Sequence, residues 1–327
     1  MNNVRHAVMV GLLGQQRDRF HTYTEPRSLA ERLELMRQIP GCEGVEPVYP
    51  SDLRDIEQDV ETVRASGWPV AAVNLNVKGD DKWRNGSFTA TDPQTRADAV
   101  IALKTAMDIA VELGTDLVTC CPLIDGHNYP FQADYVRQWH WLREGIAEAA
   151  GHRADVRISM EYKFNESRNY CILADSGRAL HLCNQVGLDN VGITYDVGHA
   201  LIALETPAAT TALVADAGKL FYMHFNDNDR AWDWDMIPGS VHVWDLIETL
   251  YYLERANWEG WFCYDVLTRS GDDIGDSPSG LGVQIATLQV MQMAEQLLDK
   301  IGRPRLAELI AEGSPPQTVQ HLWRSLL

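Results

Sequence analysis

Eight short apolar runs, rich in β-branched and aromatic residues, recur along this chain with room for a helix between neighbours. They cover residues 6–13, 44–49, 70–77, 116–122, 156–161, 191–196, 220–224 and 258–265. Helical apolar spacing fills most of the gaps, at 29–39, 53–66, 94–113, 135–150, 173–186, 241–255 and 280–298. Strand and helix alternating in this way predict an α/β fold, and eight strands predict a (β/α)8 TIM barrel. The last four runs end on Glu161, Asp196, His224 and Asp265. Strands of a parallel barrel point one way, so these four side chains meet at the rim where barrel active sites are built. Three carboxylates and an imidazole form an oxygen and nitrogen site that suits Mn²⁺, Mg²⁺ or Co²⁺ better than a thiolate zinc site.

Punctuation supports the helices. Pro93 stands near a helix start, and Gly114 and Gly187 sit where helices should stop. With no shift of composition and no short repeat, residues 1–300 read as one barrel, and 301–327 as a C-terminal helical extension. That extension, with Pro304, Pro315 and Pro316 and an apolar-spaced end, is expected to pack on a neighbouring subunit or on the barrel flank.

A chain of 327 residues, 45% of them hydrophobic, can bury a large core. Its formal charge of −18, with no basic patch, opposes nucleic acid and anionic membranes as partners. The apolar stretch 7–13 is too short to cross a bilayer and reads as the first strand. Six cysteines without C-x-x-C spacing, several within apolar runs, suggest reduced thiols and a cytoplasmic location.

More groups able to hold substrate or move protons lie beside the strand ends. Lys163 follows Glu161 by two residues and so points to the same side of an extended chain. His199 follows Asp196 by three, and His127 follows the fourth strand as a candidate acid or base. Glu46 ends the second strand, where it could touch substrate or enter a buried pair. The segment after His224 carries Asp227, Asp229, Arg230, Trp232, Asp233, Trp234 and Asp235. Four acids so close repel one another unless a cation or a basic group joins them. Trp232 and Trp234 offer faces for the C–H patches of a sugar.

These motifs resemble the xylose-isomerase-like barrel superfamily, which includes xylose and rhamnose isomerases and ketose 3-epimerases. The resemblance covers most of residues 6–298 and is specific in the second half. Glu161-Tyr162-Lys163 resembles the family's E-x-K, which implies Glu161 on the metal and Lys163 at the substrate carbonyl. Asp196-Val197-Gly198-His199 resembles its D/E-x-x-H turn, implying Asp196 on the same metal and His199 on a second ion or a sugar hydroxyl. His224 matches a third ligand, and Arg230 resembles the substrate-binding arginine of ketose epimerases. Asp233-Trp234-Asp235 resembles the D-x-D that holds a second metal in the isomerases. Asp265 stands where epimerases place a Glu that is both ligand and proton carrier and isomerases place an Asp, which tilts the resemblance towards the isomerases.

The resulting expectation is a divalent-metal enzyme, Mn²⁺ being favoured, that isomerises or epimerises a sugar or related hydroxy-carbonyl compound. The route is a metal-stabilised enediolate or a hydride shift. Homo-oligomerisation is part of the expectation. The alternative is a lyase subunit cleaving a 3-keto glycoside beside a smaller partner, as in C-glycoside deglycosidases. A DNA-repair nuclease on the same barrel is opposed by the acidic charge, and a binding protein without chemistry is the non-enzymatic rival.

Overall fold

A parallel sheet closed on itself forms the centre of the computed structural model, which describes residues 3–17, 20–268 and 280–327. Its strands are β1 (Val4–Met9), β2 (Gly44–Glu46 and Val48–Tyr49), β3 (Val73–Leu75), β4 (Leu117–Cys120), β5 (Arg157–Glu161), β6 (Val191–Asp196), β7 (Leu220–Phe225) and β8 (Gly260–Tyr264). Each pairs in parallel with the next, and β8 returns to β1. Pro47, which has no N–H to give, splits β2. Gly44–Glu46 pairs with β1 and Val48–Tyr49 with β3, so nine hydrogen-bonded segments make eight barrel strands.

Alternation along the strands sorts side chains into two cores. Val8, Val45, Val73, Val118, Ile158, Ile193, Met223 and Phe262 face outward into a continuous apolar layer, with Leu33, Val63, Leu103, Leu142, Leu182, Leu250 and Leu288 of the helices. Their neighbours face the barrel axis. There Ala7, Ala72, Leu117, Tyr222 and Cys263 pack together, and the Thr194 hydroxyl lies 2.7 Å from that of Thr119 and 2.8 Å from that of Ser159. Glu46, Glu161, Asp196, His224 and Asp265 share this inward parity.

The expected helices form as α1 (Leu29–Met36), α2 (Ile56–Ser66), α3 (Pro93–Glu112), α4 (Tyr135–Ala150) and α5 (Ser176–Val186). Asp55, Asp92, Asp134 and Asp175 cap the last four through N–H groups that would otherwise lack acceptors. Gly187 closes α5 in the left-handed conformation, and Gly114 follows α3 with φ +76°. Two helices escape sequence reading, α6 (Val197–Ile202) and α7 (Pro207–Asp216). One is short, and the other is too uniformly rich in Ala and Thr to show a period. Helix α8 (Val243–Arg255) and helix α9 (Leu281–Ile301) complete the ring.

The first run is shorter as a strand than expected, because residues 10–13 turn into a 3₁₀ helix. The third keeps only Val73–Leu75. The extension folds as α10 (Arg303–Glu312) and α11 (Pro315–Leu326), which pack on α9. Buried Leu306 and Leu309, and a 2.8 Å contact from His321 Nε2 to the Ile301 carbonyl, join it to the barrel flank. Over the rim, Asn169–Cys171 pairs antiparallel with both Gly126–His127 and Asn165–Glu166. No helix among the described residues is long and apolar enough to cross a membrane.

Candidate metal centre

Register brings the strand-end groups level. Asp196 lies opposite His224 across β6 and β7, and Glu161 lies opposite Thr194 across β5 and β6. One donor atom each from Glu161, Asp196 and His224 falls within 4.8 Å of the others, and all three residues are buried. His224 Nδ1 stands 3.4 Å from Glu161 Oε1 and 3.9 Å from Asp196 Oδ2. His199 Nδ1 approaches the same Glu161 oxygen at 3.2 Å. Neither nitrogen makes an aligned hydrogen bond, although both are shut off from solvent.

The other face of each ring is held. His224 Nε2 lies 3.1 Å from Glu46 Oε2, and that oxygen also accepts the Tyr222 hydroxyl at 2.6 Å. Asn74 donates to the second oxygen of Glu46 at 2.8 Å. His199 Nε2 meets Asp233 Oδ2 at 3.1 Å, and Lys163 Nζ reaches that oxygen at 2.8 Å and Glu166 at 2.7 Å. Asp196 serves twice: Oδ1 caps α6 by accepting the His199 N–H at 2.8 Å, while Asn226 donates to both its oxygens.

Charge is unbalanced in this space. Five carboxyl groups, those of Glu161, Asp196, Asp233, Asp235 and Asp265, face Lys163, His199 and His224. Burial raises the Asp196 pKa to about 7, with His199 opposing and Glu161 adding to the rise. Asp235 is driven up by burial and then by Asp265 and Asp233. Burial works against both imidazolium forms, yet Glu46 and Glu161 raise the His224 pKa, and Asp196 and Asp233 raise that of His199. Glu161 stays below the ordinary carboxylate range because His224 and His199 outweigh its burial. Protons thus neutralise buried oxygens that a cation could neutralise instead. Two unpaired imidazole nitrogens aimed at carboxylates are the donors a divalent ion requires, so the residues fit such an ion.

Several sequence expectations change on this geometry. Glu46 takes the buried pair among its expected roles: it is fully buried, and its oxygens are held by Tyr222, Asn74 and His224. Arg230 is turned away from the cluster: it bonds the Glu205 carbonyl at 3.2 Å and His242 at 3.2 Å, and lies 3.7 Å from Asp245. His127 stands outside as well, packed between Tyr135 and Tyr170 in a groove of about 830 Å³ between α4 and α5. Asp265 is half-buried and acts on the cluster electrostatically, but lies outside its compact ligand group.

Trp232 is half-buried and Trp234 exposed, the latter donating to Asp229 at 2.9 Å. The four acids after His224 divide. Asp227 accepts from the His242 ring and from the backbone amides of Asn228, Val241 and His242, Asp229 from Ala231 and Trp234, and only Asp233 and Asp235 face the site.

Sequence reading missed Asn226, Glu166 and Cys121. Gly198 was the available signal for Asn226, since a Cβ there would fall 1.7 Å from Asn226 Oδ1.

A closed barrel whose C-terminal rim gathers acids and imidazoles defines a TIM-barrel protein with a candidate divalent-cation centre. The sequence profile of the xylose isomerase-like TIM barrel matches residues 33–289, and the chain belongs to that family. The xylose isomerase of Thermus thermophilus is 26% identical over 253 residues, 75% of this chain. The chain spans 65% of the length of that protein and of the Thermus caldophilus xylose isomerase, which has the same identity over the same number of residues. An L-ribulose 3-epimerase structure superposes with a TM-score of 0.68 at 16% identity, covering 94% of this chain and 98% of that one. For the 3-keto-D-glucoside 4-epimerase of E. coli the values are 0.64 and 16%, with 86% and 98% covered. At such identities the two likenesses are of fold.

Proposed function

We propose that the chain is a divalent-metal-dependent isomerase or epimerase of a small sugar or related hydroxy-carbonyl compound, with Mn²⁺ held by Glu161, Asp196 and His224. The observation that carries this reading is the pair of buried, unpartnered Nδ1 atoms of His224 and His199 facing the Glu161 carboxylate. The isomerase and epimerase names of the relatives and fold neighbours accord with it. When bound, the ion supplies Lewis acidity that makes a C–H beside a carbonyl easier to deprotonate, or a hydride easier to shift.

The surrounding residues divide the remaining work. Lys163 is kept charged by Asp233 and Glu166, which outweigh its burial, and steadies negative charge on a substrate oxygen. Asp265, whose pKa burial raises, carries a proton to and from the substrate carbon, and His199, held through Nε2 by Asp233, keeps Nδ1 towards Glu161. Trp232 and Trp234 cover the sugar's apolar faces, and Asp233 and Asp235 hold the loop beneath them. Six free cysteines support a reducing, cytoplasmic location in this reading, which also takes the enzyme to be a homo-oligomer.

The test is proton NMR of ketoses, aldoses and 3-keto glycosides incubated in D₂O with Mn²⁺-loaded protein. Deuterium beside the carbonyl of a new sugar means an enediolate, and conversion without label means a hydride shift. Glu161→Ala and His224→Ala should each lose both metal and turnover, and an unimpaired variant contradicts the reading. Release of an aglycone, alone or with a second subunit, would transfer the site to the lyase reaction.

A further inference from the structure

We propose that Cys121, Glu161 and His199 form a second, sulfur-containing cation position that takes a thiophilic divalent ion such as Zn²⁺ or Co²⁺. The proposal rests on the reading above in one respect, that Glu161 is a metal ligand shared between two ions.

Cys121 follows Thr119 by two residues, so it keeps the inward parity of β4 and enters the barrel mouth. One donor atom each from Cys121, Glu161 and His199 lies within 4.8 Å of the others. The second observation is the His199 ring. Its side chain is 6% exposed, Nε2 is engaged by Asp233, and Nδ1, the nitrogen facing Glu161, has no hydrogen-bond partner. The resemblance alone would have built a second site from His199, Asp233 and Asp235. In the structure Asp233 Oδ2 is tied to Lys163 and to His199 Nε2, while its buried Oδ1 has no hydrogen-bond partner, and Asp235 is set against Asp265; neither aspartate joins a compact group of three donor atoms among the described residues.

Sulfur changes the class of ion, because a thiolate favours Zn²⁺ or Co²⁺ over Mg²⁺ and Mn²⁺. Coordination displaces the thiol proton to solvent. Cys121 is half-buried, which leaves a path from the mouth. Cys263 also sits within a three-residue group, with Glu46 and His224, but there the facing nitrogen and oxygen already bind each other.

The experiment is a Co²⁺ titration of the full chain, followed by the near-ultraviolet sulfur-to-cobalt charge-transfer band, with Mn²⁺ binding measured in parallel by electron paramagnetic resonance. The wild type should develop the band. Cys121→Ser and Cys121→Ala should lose it and bind Zn²⁺ at least about tenfold more weakly, while keeping Mn²⁺ binding and the native circular dichroism. Cys263→Ala should retain the band. A wild type that binds Mn²⁺ but shows no band, or a band that survives in both Cys121 variants or vanishes with Cys263→Ala, overturns this proposal alone. Failure to bind either ion overturns the proposed function with it.

Discussion

Glu46 decides which nitrogen of His224 faces the rim. A carboxylate only accepts, so its contact at 3.1 Å fixes a proton on Nε2 and turns Nδ1 towards Glu161 and Asp196. Glu46→Gln should therefore weaken Mn²⁺ binding by about 10- to 100-fold through lost ring orientation. Calorimetry would read that loss, and circular dichroism should stay native. Gly198→Ala should act on Asp196, because the new methyl displaces Asn226 from its carboxylate. Glu161, Asp196 and His224 were legible as strand-end residues, since parity and direction alone place them. For Glu46 a buried pair was one of two legible roles, but its partners were not, because Tyr222 and His224 lie 176 and 178 positions away. Arg230 misled for a related reason: a motif gives spacing, whereas the carbonyl of Glu205 and the carboxylate of Asp245 settle where the guanidinium goes.

Among the elements, strands and long amphipathic helices were readable because burial imposes a period on the sequence. Loops were not, and here they are tied by a single acid. Buried Asp125 accepts hydrogen bonds from the backbone N–H and the hydroxyl of both Ser87 and Thr89, while its own carbonyl accepts the Ile172 N–H at 2.8 Å. It thereby links the segments after β3, β4 and β5 above the rim. Asp125→Ala would strand four donors in a buried position, and we expect a loss of about 2–4 kcal/mol in urea unfolding. A change below about 0.5 kcal/mol would show that the loops are held by other contacts. At the helix starts, Asp175→Ala should cost about 1 kcal/mol through the lost cap on α5, measured the same way.

For the whole molecule, the alternation of runs was sufficient to reach an eight-stranded barrel, whereas the surface it presents was not legible. Tyr129, Phe131, Tyr135 and Val136 are exposed near the loop after β4, and Val319 and Trp323 on α11. Exposed apolar groups of this kind mark association surfaces, so light scattering should give a mass above the 36.7 kDa of one chain. A monomer across the micromolar range would contradict self-association. The thiols report on the core. Burial raises the pKa of Cys42 and Cys183 to about 11 and of Cys171 to about 12, with Cys120, Cys121 and Cys263 also raised. Native protein at pH 8 should react slowly with a thiol reagent, and unfolded protein should release six equivalents. Chelation should lower the melting temperature, since an ion at about 100 times its Kd contributes roughly 2.7 kcal/mol to the folded state.

The most direct measurement is anomalous diffraction at the manganese edge from crystals grown with Mn²⁺. The expected result is a peak within about 2.0–2.4 Å of Glu161, Asp196 and His224 Nδ1. A manganese peak elsewhere, or an ordered rim whose carboxylates and imidazoles pair with one another and exclude the ion, would contradict the centre on which the proposed chemistry depends.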